Sequence, residues 1–157
     1  MNKKIFLVGL PGAGKTTLGM ELAVHLGRQF VDLDQEIEKD LKQSIRKIFS
    51  EQGEAFFRQQ EYQHLHKIIT EVPEFVLATG GGTPCFFDNM DQMNQLGSTI
   101  FINTPISQIK QRLQQDSVRP LMQNNTLEGL MEKRISWYQK AEHTITNLEE
   151  LIGLVKN

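Results

Sequence analysis

KKIFLVGLPGAGKTT, residues 3–17, runs an apolar stretch into a glycine-rich turn and then into a leucine-periodic segment. KKIFLVG is short, apolar and partly β-branched, the pattern of a strand buried on both faces. From Lys15 the period changes: Leu18, Leu22 and Leu26 recur at helical spacing, so an amphipathic helix is expected to end near Gly27. Between the two, Gly9, Gly14, Lys15 and Thr16 satisfy G-x-x-x-x-G-K-[ST] in full. Glycines there let backbone N–H groups face inward on phosphate oxygens, and the following helix points its positive end at the same anion. Lys15 is placed to reach β- and γ-phosphates and the Thr16 hydroxyl to ligate Mg²⁺. Gly12, Ala13, Gly14 and Thr17 complete the expected phosphate-binding loop, 9–16 with the residue after it.

The rest of the chain alternates strand and helix signals, which predicts an α/β fold with a mostly parallel sheet. QFVDLD (29–34) reads as a second strand, EFVLA (74–78) as a third, STIFIN (98–103) as a fourth and HTIT (143–146) as a short fifth. Thr104-Pro105 supplies a helix cap and a proline for the first helical position, and Asn147 caps a closing helix. Two regions exceed a minimal alternation. Residues 34–72 are mostly helical and longer than one crossover helix needs, and QQDSVRPLMQNN (114–125) is polar and proline-interrupted. Extra chain at those places predicts a substrate-covering insertion and a closing lid.

At 157 residues the chain has the length of one domain, which buries about 68–70% of its unfolded surface without metal or disulfide staples. A formal charge of −2 argues against a broad nucleic-acid or membrane-surface binder. Cys85 is the only cysteine, so no internal disulfide forms and a reducing, cytoplasmic setting is expected. The opening MNKKIFLVGL imitates a signal peptide but breaks at Pro11-Gly12, meets Lys15 and lacks a small-residue cleavage site. No run approaches 18 apolar residues, so no membrane span is expected. No heptad seam is present, and a monomer is the default.

Several further residues are candidates for chemistry. Asp32 and Asp34 stand i, i+2, so on a strand both carboxylates would share a face at the ligand-binding end of the sheet. One would hold the metal's water shell and the other accept a proton from an alcohol; alternatively, one or both cap a helix starting at Gln35. Arg58 and Glu61 in GEAFFRQQE (53–61) are i, i+3 neighbours, a spacing whose common meaning is a solvated surface pair. Phe56 and Phe57 beside them read as core. FVLATGGGTP (75–84) sends a buried strand into three glycines, Gly80, Gly81 and Gly82, more than a tight turn needs, so close backbone approach is expected there. Arg112, Arg119 and Arg134 each read in isolation as solvated surface. His64 and His66, i, i+2 on a helix, diverge too far for a zinc site.

Taken in order, GLPGAGKT, FVDLD, GEAFFRQQE, LATGGGTP, RPLM and RISWY resemble the motifs of the shikimate kinases over nearly the whole chain. The resemblance implies a three-layer α/β/α P-loop fold of the nucleoside monophosphate kinase type with a five-stranded parallel sheet. It implies one kinase domain over 1–157, with a substrate-binding insertion at about 33–61 and a lid at about 112–126. The activity implied is ATP-dependent phosphorylation of the 3-hydroxyl of shikimate, with ATP, Mg²⁺ and shikimate as partners and no nucleic acid or membrane. Residue by residue, Asp34 would contact the accepting hydroxyl as candidate base, and Arg58 and Arg134 would grip the carboxylate. Gly80, Gly81 and Gly82 would line the acceptor, Phe49 and Phe57 would wall its ring, and Glu61 would orient Arg58. Thr16 and Asp32 would serve Mg²⁺, Arg119 would close on the phosphates and Arg112 would stack on adenine. One departure is TNLEEL after the fifth strand, where the family often carries a basic cluster near the adenine. Rival readings are a kinase for another small acid such as gluconate, a silent nucleotide-binding module, and a switch GTPase, which lacks its N-K-x-D sequence here.

Overall fold

A computed structural model describes residues 1–115 and 126–157. Its five strands are β1 (Lys4–Val8), β2 (Gln29–Asp32), β3 (Phe75–Ala78), β4 (Ser98–Ile102) and β5 (His143–Ile145). All neighbours pair parallel, in the order β2-β3-β1-β4-β5. β1 is therefore the centre, and the early and late halves of the chain extend from it in opposite directions. Every residue of β3 and β4, and Ile5 to Val8 of β1, is buried. Strands buried on both faces need cover on both faces. The helices provide it: α1 (Lys15–Leu26), α2 (Leu33–Leu41), α3 (Ile45–Gln52), α4 (Glu54–Glu71), α5 (Asn89–Leu96), α6 (Ile106–Gln115), α7 (Leu127–Tyr138) and α8 (Leu148–Lys156). The expected three-layer arrangement around a five-stranded parallel sheet is the one adopted.

The boundaries show what local chemistry decides. α1 ends at Leu26 because Gly27 turns left-handed at φ 63, as the sequence leads one to expect. Asn147 caps α8, its side chain accepting from the Glu150 N–H at 2.9 Å. β2, expected to reach Asp34, stops at Asp32. Its last register partner is Ala78, after which the neighbouring chain leaves the sheet into Gly80–Gly82, so Leu33 and Asp34 have nothing to pair with. Asp32 instead accepts the Gln35 N–H at 3.1 Å and starts α2 at Leu33. β5 likewise stops before Thr146, whose N–H and hydroxyl both donate to the Glu150 carboxylate, at 2.7 and 2.9 Å.

Thr104 also departs from its expected role. Its hydroxyl caps no helix; it crosses 91 residues of sequence to donate to the Ala13 carbonyl at 2.6 Å. Thr104 is buried, and a buried hydroxyl has to find a partner. The carbonyl of Pro105 takes the first-turn N–H groups of Gln108 and Ile109 in its place. Residues 34–72 form three helices: α2 and α3 pack on α4, and Ser44 caps α3 by accepting from Lys47 at 3.1 Å. No helix among the described residues is long and apolar enough to cross a membrane.

Candidate active site

The loop between β1 and α1 needs its glycines for conformation. Gly9, Gly12 and Gly14 have φ of 152, 80 and 102, and a Cβ on Gly9 would stand 2.8 Å from the Ile102 carbonyl oxygen. Gly14 occupies the cap position of α1 without a side-chain cap, and the first turn holds no acidic residue. The leading N–H groups of α1 thus face outward with the positive end of the helix dipole, an arrangement that attracts an anion. Lys15 is buried and lies back over the loop, its Nζ donating to the carbonyls of Gly9 at 2.6 Å and Leu10 at 2.9 Å. From α6, Arg112 reaches the same loop and donates to the Gly12 carbonyl at 3.2 Å.

Thr16, on the first turn of α1, donates its hydroxyl to Asp32 Oδ2 at 2.9 Å, while Asp32 Oδ1 accepts the Gln35 N–H. The capping reading of Asp32 thus holds for Oδ1, and Oδ2 is left facing the Thr16 hydroxyl. A hydroxyl and a carboxylate are hard oxygen donors. Mg²⁺ is characteristically bound by one or two such groups together with substrate phosphates, so the pair fits that ion. No group of three or more His, Cys, Asp or Glu among the described residues makes a metal cage by itself. His64 pairs with Asp40 at 2.9 Å, and His66 lies against the Tyr62 ring at 4.2 Å.

Asp34 does not share a strand face with Asp32, because it belongs to the first turn of α2. The two carboxylates are nevertheless close enough to sense each other. Burial pushes Asp34 up to about 6; the charges of Glu61 and Asp32 add to that, and Lys15 opposes it. A carboxylate poised near neutrality suits proton transfer better than an ordinary one.

Arg58 and Glu61 are not the solvated pair that their spacing alone implies. Both are buried, Arg58 at 8% and Glu61 at 0% exposure, with Nη1 and Oε1 3.0 Å apart. Thr83 donates its hydroxyl to the other oxygen, Glu61 Oε2, at 2.7 Å. Burial raises the Glu61 carboxyl, and the Arg58 charge is the main influence holding it down. The Phe49 and Phe57 rings pack tilted at 40°, with centroids 4.7 Å apart, and stand 5.9 and 5.2 Å from the Arg58 guanidinium carbon.

The three glycines explain how these groups converge. None of them has a positive φ, so what they provide is room. A Cβ on Gly80 would be 3.1 Å from Asp34 Oδ1, 3.1 Å from Glu61 Oε2 and 3.2 Å from Thr83 Oγ1. On Gly81 it would meet Pro11 Cδ at 2.8 Å and Arg134 Nη1 at 2.9 Å; on Gly82, Arg58 Nη2 at 2.6 Å. Half-buried Arg134 reaches this point from α7, and Tyr138, one turn on, donates to the Gly81 carbonyl at 2.5 Å. Burial raises the Tyr138 phenol well above its ordinary value, so it stays a donor.

The structure therefore gathers Gly12, Ala13, Gly14, Lys15, Thr16, Asp32, Asp34, Phe49, Phe57, Arg58, Glu61, Gly80, Gly81, Gly82 and Arg134 at the ends of β1, β2 and β3. Arg112 stands on the rim, and Thr17 is exposed on the first turn of α1. Arg119 and most of the expected lid lie outside the described residues. Sequence reasoning missed Pro11, Thr83, Phe86 and Thr104, each of which acts through contacts distant along the chain. A phenylalanine pair at 86–87 like the one at 56–57 was the one available hint.

Comparison with known proteins supports the same reading. A model of the shikimate kinase family matches residues 11–152. The chain is 42% identical over 148 residues to a shikimate kinase of Phocaeicola vulgatus, covering 89% of this chain and 84% of that one. It is 39% identical over 164 residues to one from Persephonella marina, covering 98% and 99%. The crystal structure of shikimate kinase from Bacteroides thetaiotaomicron superposes with a TM-score of 0.90 at 34% identity, covering 100% of both chains. That from Acinetobacter baumannii in complex with shikimate gives 0.89 at 35% identity, covering 98% and 92%.

Proposed function

The chain belongs to the shikimate kinase family, with its P-loop fold of the nucleoside monophosphate kinase type, and on that premise we propose how it phosphorylates the 3-hydroxyl of shikimate. ATP supplies the γ-phosphoryl group, and the products are ADP and shikimate 3-phosphate, in the route to chorismate and the aromatic amino acids. The observation that carries the assignment of residues is the contact at Gly81. Pro11 of the phosphate loop and Arg134 would both stand within 3 Å of a Cβ there, so phosphate site and acid site meet across one residue.

The acid is held first. Arg58 and Arg134 offer planar, paired donors to its carboxylate, and a neutral small molecule would leave them unmatched. Phe49 and Phe57 support the ring, and the backbone of Gly80–Gly82 admits it closely. Asp34 orients the accepting hydroxyl and takes its proton onto a carboxylate oxygen as the P–O bond forms. Glu61 holds Arg58 in place from inside the protein.

The nucleotide phosphates rest on the N–H groups of Gly12 to Thr17. The Lys15 amine exchanges the Gly9 and Leu10 carbonyls for phosphate oxygens. In a loose, heavily charged transition state this positioning is most of the catalysis available to a protein. Thr16 and Asp32 hold Mg²⁺, which when bound neutralises phosphate charge. Arg112 faces the adenine, and Arg119, outside the described residues, is assigned by the family resemblance to neutralising phosphate charge. The enzyme acts as one domain, a cytoplasmic monomer by this reading.

Purified protein supplied with Mg-ATP should release ADP in proportion to added shikimate in a coupled assay. ADP release that ignores shikimate sinks the proposal, and a size-exclusion mass above one chain sinks the monomer.

A further inference from the structure

Phe86 is the aromatic ring nearest the acid-binding arginine. Its centroid lies 4.1 Å from the Arg58 guanidinium carbon, against 5.2 Å for Phe57 and 5.9 Å for Phe49. Gly82, on the same loop, presses on the same group, since a Cβ there would stand 2.6 Å from Nη2 and 2.7 Å from Nη1. Glu61 takes Nη1 at 3.0 Å, and Glu54 takes Nε and Nη2 at 3.4 Å. A guanidinium carries five N–H donors. These bonds use one on each nitrogen, leaving one donor on Nη1 and one on Nη2, the fork that a carboxylate accepts.

The backbone is bent to make this contact. Phe86 is extended, at φ −122 and ψ 147, where the short 3-10 turn Thr83–Cys85 ends. Phe87 then adopts φ 51; Lys42 is the one other non-glycine residue with positive φ among the described residues. The left-handed region is unfavourable for a bulky L-residue. The kink separates two adjacent rings: Phe86 is half-buried on Arg58, and Phe87 is exposed, 5.2 Å from the Tyr62 ring. Asn89, wholly buried, anchors the loop by donating to the Thr83 carbonyl at 3.0 Å. Strain of this kind persists where the surroundings impose it, and it concentrates at functional sites.

We propose that Phe86 is a positioning residue for the acid substrate, its ring holding the Arg58 guanidinium against Gly82 so that the two remaining donors meet the carboxylate already oriented. The name of the acid rests on the functional reading above; the placement of Arg58 does not. A cation–π contact is worth about 3-fold in an equilibrium when exposed and about 30-fold when desolvated, and half-buried Phe86 falls between these limits. Because Phe86 acts on Arg58 and not on the reacting atoms, the loss belongs in binding of the acid.

Phe86→Leu removes the π face but keeps apolar bulk, and Phe86→Tyr keeps the face. In Phe86→Leu the KM for shikimate should rise about 3- to 30-fold, with kcat and the KM for ATP within about twofold. Phe86→Tyr should return the KM for shikimate to within about twofold of wild type. An unchanged KM in Phe86→Leu, or equal losses in both variants, overturns the proposal. A second readout needs no substrate: the Arg58 Nε–Hε proton signal, assigned with Arg58→Lys, should move downfield in Phe86→Leu as ring shielding is lost. If it does not move, the proposal fails whatever the enzyme phosphorylates. If it moves while wild type ignores shikimate, the substrate assignment fails and the placement of Arg58 by Phe86 stands. Should Phe86→Leu fail to fold, Phe86→Met is read by the same criteria.

Discussion

Gly82 leaves no room for a single methyl group beside Arg58: a Cβ would lie 2.6 Å from Nη2 and 2.9 Å from Cζ. Gly82 itself sits at φ −94, which any residue adopts. The requirement for glycine is therefore steric, and the group in the way is the free end of a flexible side chain. Gly82→Ala should displace Arg58 and leave the fold standing, raising the KM for shikimate roughly tenfold or more with little change in melting temperature. Gly27 is the converse, with φ 63 and nothing within 4 Å of its Cβ position. Gly27→Ala should lower stability by about 1 kcal/mol with unchanged kinetics. Steady-state kinetics and thermal melts of the two variants check this; matching phenotypes would refute it.

Asp34 carries a cost to the fold that its chemistry requires. Burial is the largest cause of its rise from 3.8 to about 6, so the ionised form is disfavoured in the native state. Such a group destabilises the protein fully at a pH well above about 6, and the effect falls away through pH about 4 as both states become protonated. The shift corresponds to about 3 kcal/mol at most, and partial exposure of the site reduces it to the order of 1–2 kcal/mol. Asp34→Asn should therefore melt about 3–6 °C higher than wild type at pH 8 and at the same temperature near pH 4. The same substitution should lower kcat about 10²- to 10⁴-fold and spare the KM for ATP. Wild-type turnover would remove Asp34 from the mechanism.

Activity should show the same group. A base must be ionised to act, so kcat/KM for shikimate is expected to be level above pH about 6 and to fall tenfold per unit below it. An acid limb centred near 4, the ordinary carboxylate value, would mean that burial does not tune Asp34.

Asp32 uses one oxygen as a helix cap and the other toward Thr16, at 3.1 and 2.9 Å. Substitutions should separate the two jobs. Asp32→Asn keeps a capping oxygen and should leave stability within about 0.5 kcal/mol, whereas Asp32→Ala should lose about 1 kcal/mol. Both remove the charge, so both should raise the Mg²⁺ concentration for half-maximal rate several-fold. Magnesium titrations beside denaturant unfolding test this, and an unchanged Mg²⁺ requirement in both variants would exclude Asp32 from the metal site.

The phosphate loop, α1 and the caps at Gly27 and Asn147 were legible in the sequence because their causes are local. Each is decided by a φ angle, a hydrophobic period or a hydrogen bond spanning about four residues. The strand tally and parallel sheet followed from periodicity in the same way. Arg58 and Glu61 show the limit: i, i+3 spacing on a helix is the same whether the pair is solvated or sealed. Only the packing of α4 beside the Gly80–Gly82 turn takes it out of water. Asp34 likewise needed the end of β3 to become known before β2 could be seen to stop two residues earlier. For Thr104 the local signal, a helix cap, pointed elsewhere, and for Phe86 it was no more than a paired phenylalanine, since their partners, Ala13 and Arg58, lie 91 and 28 residues away in sequence. By itself the sequence determined the elements and the chemistry they carry. The tertiary structure decided which charges are buried, because desolvation depends on what the rest of the chain places around a group.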